Sequence, residues 1–179
     1  MMPCRRAMAA HGSPRSGRRR CLVAASCLAP LAAFGAQLPA PGASIEWPAL
    51  KLLDGTTLPA QAWHDSAAVV VFFATYCAYC MRHNAHIDKL HGMIGTRPVR
   101  ILGAAIDRDA EAVRRYLAVN RYRFPAVADA AALRERFTPR RVVPMTCVVD
   151  RAGRLMQAIP GEMAEADVLE LADKVLVAR

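Results

Sequence analysis

Beyond its first twenty residues the sequence lacks the surplus of positive charge that a nucleic-acid-binding protein needs. Those twenty hold Arg5, Arg6, Arg15, Arg18, Arg19 and Arg20 and no acid. Setting these six aside leaves 18 of the 24 basic side chains against 15 acidic ones, so the formal charge of +9 falls to +3. Aromatic residues make up only 6% of the chain and none interleave a basic run, which argues against nucleic acid as a partner. Cysteine is scarce past residue 27, where only Cys77, Cys80 and Cys147 remain. An odd and small number excludes a fold stapled by disulfides, so the core must stabilise itself. A length of 179 residues with 54% hydrophobic content suffices for one domain with such a core. There is no internal repeat, and no low-complexity tract outside the N-terminus.

Long apolar runs are missing too. The stretch "CLVAASCLAPLAAFGA" (Cys21 to Ala36) is broken by Pro30 and falls short of the ~20 residues of a membrane helix. Arginines, then small and apolar residues, then the tract "QLPAPGAS" give the layout of a secretory signal. Cleavage fits near Gly35, Ala36 or Ala43, and an uncleaved anchor is the alternative. "GRRRCL" loosely resembles a twin-arginine signal. Cys27 follows small residues, as a lipid-acceptor cysteine does, but Ala24 stands where a larger aliphatic is usual. Residues 1–43 are therefore assigned to a signal sequence or N-terminal anchor plus linker, and 44–179 to one domain. Export places Cys77, Cys80 and Cys147 in an oxidising compartment.

The domain alternates strand-like and helix-like segments. Asp54-Gly55 between apolar flanks in "ALKLLDGTTLPAQAW" signals a hairpin. "AAVVVFF" (Ala67 to Phe73) and "VRILGAAID" (Val99 to Asp107) read as buried strands. Helical spacing predicts helices over Ala78 to Ile94 and, capped by Asp109, up to Asn120. A short strand ("FPAVAD"), a short helix ("AALRERF") and two strands joined at Ala152-Gly153 follow, and one helix over Ala164 to Ala178 closes the chain. This alternation predicts an α/β fold, a central sheet covered by helices.

"FFATYCAYCMRH" (Phe72 to His83) carries the chemistry. Cys77 is expected just past a buried strand, at the opening of a helix, where free N–H groups and the helix dipole stabilise a thiolate. Cys80 is one turn on, within reach of a disulfide, so one cysteine can exchange with another protein and the other resolve the mixed disulfide. Two alternatives stay open. A structural disulfide closing four residues constrains the unfolded chain little. Cys77, Cys80, His83 and His86 run C-x2-C-x2-H-x2-H, although four ligands at three-residue steps on one helix cannot converge tetrahedrally on zinc. A copper site from the same residues is the sharper form of that rival.

"VVVFFATYCAYCMRHNAHIDKLH", "ILGAAIDRD", "YRFPAVAD" and "VVPMTCVVDRAGRLMQAIPGEM" together resemble the TlpA/ResA-like branch of the thioredoxin superfamily, in family order from about Ile45 onward. The resemblance implies a thioredoxin fold with a central mixed sheet flanked by helices, an N-terminal β-hairpin and an inserted βα element. It implies thiol–disulfide oxidoreductase activity facing the periplasm, with no cofactor beyond the cysteines. Carried over residue by residue, Cys77 matches the attacking cysteine and Cys80 the resolving one. Pro144 matches the cis-proline beside them, a bond that costs only ~0.5–1 kcal/mol. Val143 and Tyr76 line the substrate-docking edge, and Ala78 and Tyr79 fill the dipeptide that tunes the redox poise. Tyr76 replaces a usual tryptophan, and Ala85 replaces a helix-kinking proline, implying a straighter helix. His83 stands where related reductases often carry a glutamate that assists proton transfer. A histidine of ordinary pKa ~6.5 can do the same, and the alternative is a solvated helix-surface residue like His86 and His91. Val71 stands where cytosolic thioredoxins keep a buried aspartate, which leaves proton handling open. Cys147 is expected to pack in the core, or to interfere with the pair if it faces them.

The reading that results is a reductase of exported protein disulfides, apocytochromes among the candidate clients, supplied with electrons by a membrane-bound redox partner. An oxidase or isomerase is the first alternative, because a tyrosine before the second cysteine and a valine before the cis-proline also occur in oxidising relatives. A copper- or zinc-binding chaperone is the second.

Overall fold

The computed structural model describes residues 39–177. The signal, anchor, twin-arginine and lipidation readings lie outside the described residues. A two-stranded hairpin, β1 (Leu50–Lys51) and β2 (Thr57–Leu58), comes first. Its turn forms because Asp54 Oδ1 accepts from the Thr56 N–H and hydroxyl, and Gly55 takes φ +92° without steric cost. A short 3₁₀ turn over Ala60–Trp63 leads into β3 (Ala67–Phe73). Then follow α1 (Ala78–Met93), β4 (Val99–Ala105), α2 (Ala110–Asn120), β5 (Ala126–Val127), α3 (Ala131–Glu135), β6 (Met145–Val149) and β7 (Leu155–Pro160). The final helix expected over Ala164 to Ala178 is instead two segments, α4 (Glu165–Leu169) and α5 (Leu171–Val177). Glu170 between them keeps helical dihedrals and its N–H still reaches Ala166 O, so the interruption spans a single residue.

The main sheet has the order β5-β4-β3-β6-β7, with β3, β4 and β5 parallel and β6 antiparallel to both of its neighbours, β3 and β7. β5 and α3 form the inserted strand and helix. Every residue of β3 is buried, which explains its unbroken apolar run in place of an alternating one. Its side chains alternate between two cores. Ala67, Val69, Val71 and Phe73 pack with Ile87 and Leu90 of α1, Val113 of α2 and Val168, Leu171 and Val175 of α4 and α5. Ala68, Val70 and Phe72 pack with Ile45, Trp63, Leu133 and Phe137 on the opposite face. Phe72 and Phe73 are wholly buried, each contributing roughly 1.5–3 kcal/mol by removal from water. The few aromatic residues divide along this line: Phe72 meets Phe137, which meets Trp47 stacked on Trp63, while Phe73 meets Tyr116 and Phe124.

Candidate active site

Strand register brings together residues 66 positions apart. β6 runs antiparallel to β3 with Phe72 opposite Met145, so the chain enters β6 at the end where β3 leaves the sheet. Parallel β4 ends there too, with Ala105 opposite Phe73. The carboxyl ends of parallel strands, where loops diverge, are where α/β sheets place their ligands. Here that edge holds the Cys77 loop and the Val143–Pro144 peptide, which is cis. Cys77 Sγ lies 3.9 Å from Val143 O, Pro144 is buried, and Pro144 O accepts the Gly161 N–H at 2.8 Å.

Cys77 is the N-cap of α1. Its sulfur accepts from the Cys80 N–H at 3.4 Å, one of the donors a helix start leaves unpaired. The sulfur is half-buried, whereas Cys80 is sealed from solvent, so the two thiols are unequal in access. Burial pushes the Cys80 thiol up to about 12, with further contributions from the hydrogen bond to Cys77 and the charges of Cys77 and Asp107. Around the pair the surface is apolar and open: Tyr76, Ala78 and Tyr79 are exposed, Tyr76 at 79%. The Arg82 guanidinium lies 4.8 Å from the Tyr79 ring centre and is held by both oxygens of Glu162, at 2.9 and 2.6 Å. α1 itself is an unbroken helix through Ala85.

His83 departs from both roles its position suggested. Its side chain is fully buried, turned into the fold and away from water. Nδ1 accepts the Met163 N–H at 3.3 Å, so the proton sits on Nε2, which donates to Thr146 Oγ1 at 2.8 Å. Burial, with His86 adding to it and Glu162 opposing, lowers the pKa to about 4. The ring is therefore a neutral fastener joining α1 to β6 and to the 161–163 loop, with no nitrogen left to shuttle protons near neutrality. It also breaks the C-x2-C-x2-H-x2-H pattern, since both nitrogens of His83 are engaged and His86 lies instead beside Glu165, at 3.6 Å. Among the described residues no group of three or more His, Cys, Asp or Glu side chains gathers as a metal would require.

Sequence reasoning overlooked the groups behind the cysteines. Asp107, just past β4, binds Thr75 of the cysteine loop twice: Oδ2 accepts the N–H at 3.0 Å and Oδ1 the hydroxyl at 2.6 Å. Asn84, one turn after Cys80 and fully buried, donates to the Tyr116 hydroxyl at 3.1 Å. The available signal for Asp107 was an acid directly after a buried strand whose carboxyl end borders the cysteine loop. Cys147 lies opposite Val70 and belongs to the core on the other face of the sheet from Cys80. It is fully buried, and that burial pushes its thiol up to about 12.

A half-exposed and a buried thiol, three residues apart at a helix start beside a cis-proline, can open and close a disulfide with a second protein. Comparisons with known proteins agree with that chemistry. The Redoxin family model matches residues 36–176. The thiol-disulfide oxidoreductase ResA of Halalkalibacterium halodurans is 26% identical over 128 residues, covering 70% of this chain and 72% of that protein. Among solved structures, a thioredoxin-family thiol:disulfide interchange protein from Chlorobium tepidum superposes with a TM-score of 0.64 at 21% identity, covering 77% of this chain and 95% of its own. StoA from Bacillus subtilis gives 0.60 at 15% identity, covering 74% and 98%. The structural likenesses carry the fold, and the family match spans most of the chain: it belongs to the Redoxin family, within the thioredoxin superfamily, and is a thiol–disulfide oxidoreductase.

Proposed function

We propose that this oxidoreductase works as a reductant of disulfides in exported proteins, facing the periplasm and recharged by a membrane-bound redox partner. Cys77 attacks the client disulfide and Cys80 resolves the mixed disulfide. Val143 and the cis Pro144 offer the edge on which a client strand docks, with Tyr76, Ala78 and Tyr79 as the apolar contact surface. His83 serves this site by fastening α1 to β6. Export rests on the N-terminal pattern of arginines followed by an apolar stretch. No helix among the described residues is long and apolar enough to cross a membrane.

The observation that carries the direction is the burial of Cys80. Strongly oxidising members of the superfamily owe their potential to a stabilised reduced form, with the thiolate favoured. A resolving cysteine sealed in the core with its pKa pushed up to about 12 adds no stabilised thiolate to the reduced form, which supports a reductant over a strong oxidant. The test is the equilibrium of the Cys77–Cys80 couple against glutathione, read in the full-length protein by alkylation and mass spectrometry. Tryptic peptide Leu52–Arg82 contains these two cysteines and no other. A potential near the ~−270 mV of thioredoxin is expected. A value of ~−120 to −180 mV would reverse the assigned direction, to an oxidase or isomerase. Absence of any exchange would remove the redox role altogether.

A further inference from the structure

Resolution of the mixed disulfide requires a proton to leave a buried thiol. Cys80 is sealed from solvent, and its sulfur attacks only as the thiolate. The strand leading to the loop offers Val71 and no acid, and the His83 nitrogens are both engaged. Asp107 is differently placed. It follows β4 at the sheet edge where β3 ends, and Thr75, two residues before Cys77, holds both of its oxygens. Each oxygen keeps a further lone pair beyond the one Thr75 occupies. Thr75 also lines an open cleft of about 260 Å³ with Ala112, Tyr116 and Asn120 of α2, which gives water access to this side of the loop.

We propose that Asp107, oriented by Thr75, receives the Cys80 proton when the mixed disulfide is resolved. The inference rests on the dithiol exchange assigned above and adds its missing base. In the first step the Cys77 thiolate opens the client disulfide; a Cys77–client S–S bond forms and the other client sulfur leaves as a thiolate. Asp107 then takes the proton of Cys80, and the Cys80 sulfur attacks that of Cys77. The Cys77–client bond breaks, two electrons have passed from the dithiol to the client, and the proton on Asp107 leaves with the departing client thiolate. The negative charge of Asp107 opposes ionisation of Cys80 only while both would be charged. Moving the proton from one to the other removes that repulsion. The other charged groups in its surroundings are limited in what they can do. Arg108 and Asp109 flank it in the chain, and Asp109 is occupied capping α2. Asp129 donates its backbone N–H to Asp107 O at 2.8 Å. Arg115 of α2 lines the cleft beside Thr75.

Rapid acid quench of the reduced full-length protein with oxidised glutathione, followed by mass spectrometry, separates formation of the Cys77–glutathione disulfide from its decay to Cys77–Cys80. In Asp107→Asn, formation is expected within about twofold of the unaltered protein, with decay slower on the order of 10²-fold, as for loss of a positioned base. The pH profile of the decay should flatten, and Asp107→Glu should recover part of the rate. Decay at the unaltered rate with an unaltered pH profile would overturn the assignment, and so would equal slowing of both steps. Should Asp107→Asn fail to fold by circular dichroism, Thr75→Val carries the same test. It removes the hydroxyl donor and keeps the N–H, so slower decay with unchanged formation supports Asp107 oriented by Thr75, and unchanged decay refutes that orientation. No mixed disulfide in the unaltered protein would instead sink the exchange itself, a failure visible before any variant is made.

Discussion

His83 shows how one residue's chemistry is set by where its ring points. An imidazole in water titrates near ~6.5, but this one is buried with an acceptor nitrogen facing a backbone N–H and a donor facing Thr146. The folded state therefore resists a proton that the unfolded chain accepts. Its pKa is depressed on folding, so the stability it supports is complete above pH 6.5 and is lost as pH falls towards about 4. At ~1.4 kcal/mol per tenfold change in proton affinity, that loss amounts to about 3 kcal/mol. Urea unfolding at pH 7 and at pH 4.5 is expected to show this drop, and His83→Gln, which titrates nowhere in the window, should reduce it. Equal pH dependence in the two proteins would mean that other groups govern acid unfolding. His83 thus leaves the site without a proton carrier at this position, the role proposed above for Asp107.

At the scale of elements, β4 illustrates a constraint that hydrophobic pattern alone conceals. Gly103 sits mid-strand between buried Leu102 and Ala104. A Cβ there would lie 2.5 and 2.9 Å from the Phe124 ring and 3.3 Å from Phe73. The glycine is thus required by close aromatic packing above the strand, which is a common reason for glycine in a strand interior. Gly103→Ala should destabilise the fold by about 1–3 kcal/mol through overpacking. Urea midpoints would read the change, and adding Phe124→Leu should recover part of it, since neighbouring residues couple. Unchanged stability in the single variant would show that the ring moves freely. α2, by contrast, needed no neighbour to define its start: Asp109 caps it by accepting from the Glu111 and Ala112 N–H groups.

Over the whole molecule the sheet acts as a partition. One core carries Cys77, Cys80 and the helices α1, α2, α4 and α5; the other carries Trp47, Trp63, Phe137 and Cys147. Cys147 was expected in the strand after Pro144, and the partition decides that it faces away from Cys80. Cys147→Ala should leave the Cys77–Cys80 potential unchanged and cost about 1 kcal/mol for the small void. Serine is the worse substitute, since a buried hydroxyl there would need a partner. A shifted potential in Cys147→Ala, measured by the same alkylation assay, would show that the two cores communicate across β3.

The sequence by itself determined the order of elements, the buried character of β3 and β4, and the pairing of Cys77 and Cys80 at a helix start. These are local matters of spacing, apolar run length and capping, which a few adjacent residues express. The α/β class and the likeness carried by the Val143–Pro144 segment were legible for the same reason. Only the tertiary structure decided the rest. Antiparallel pairing of β3 with β6 brings Val143 O to Cys77, and parallel pairing with β4 brings Asp107 to Thr75. Both are contacts between distant segments that no local pattern encodes. Helical spacing placed His83 near Cys80, but its neutral, fastened state follows from Thr146 and Met163, which lie 63 and 80 residues away. Proximity along the chain set Cys77 and Cys80 side by side; the electrostatics acting on them came from segments that only folding brings near.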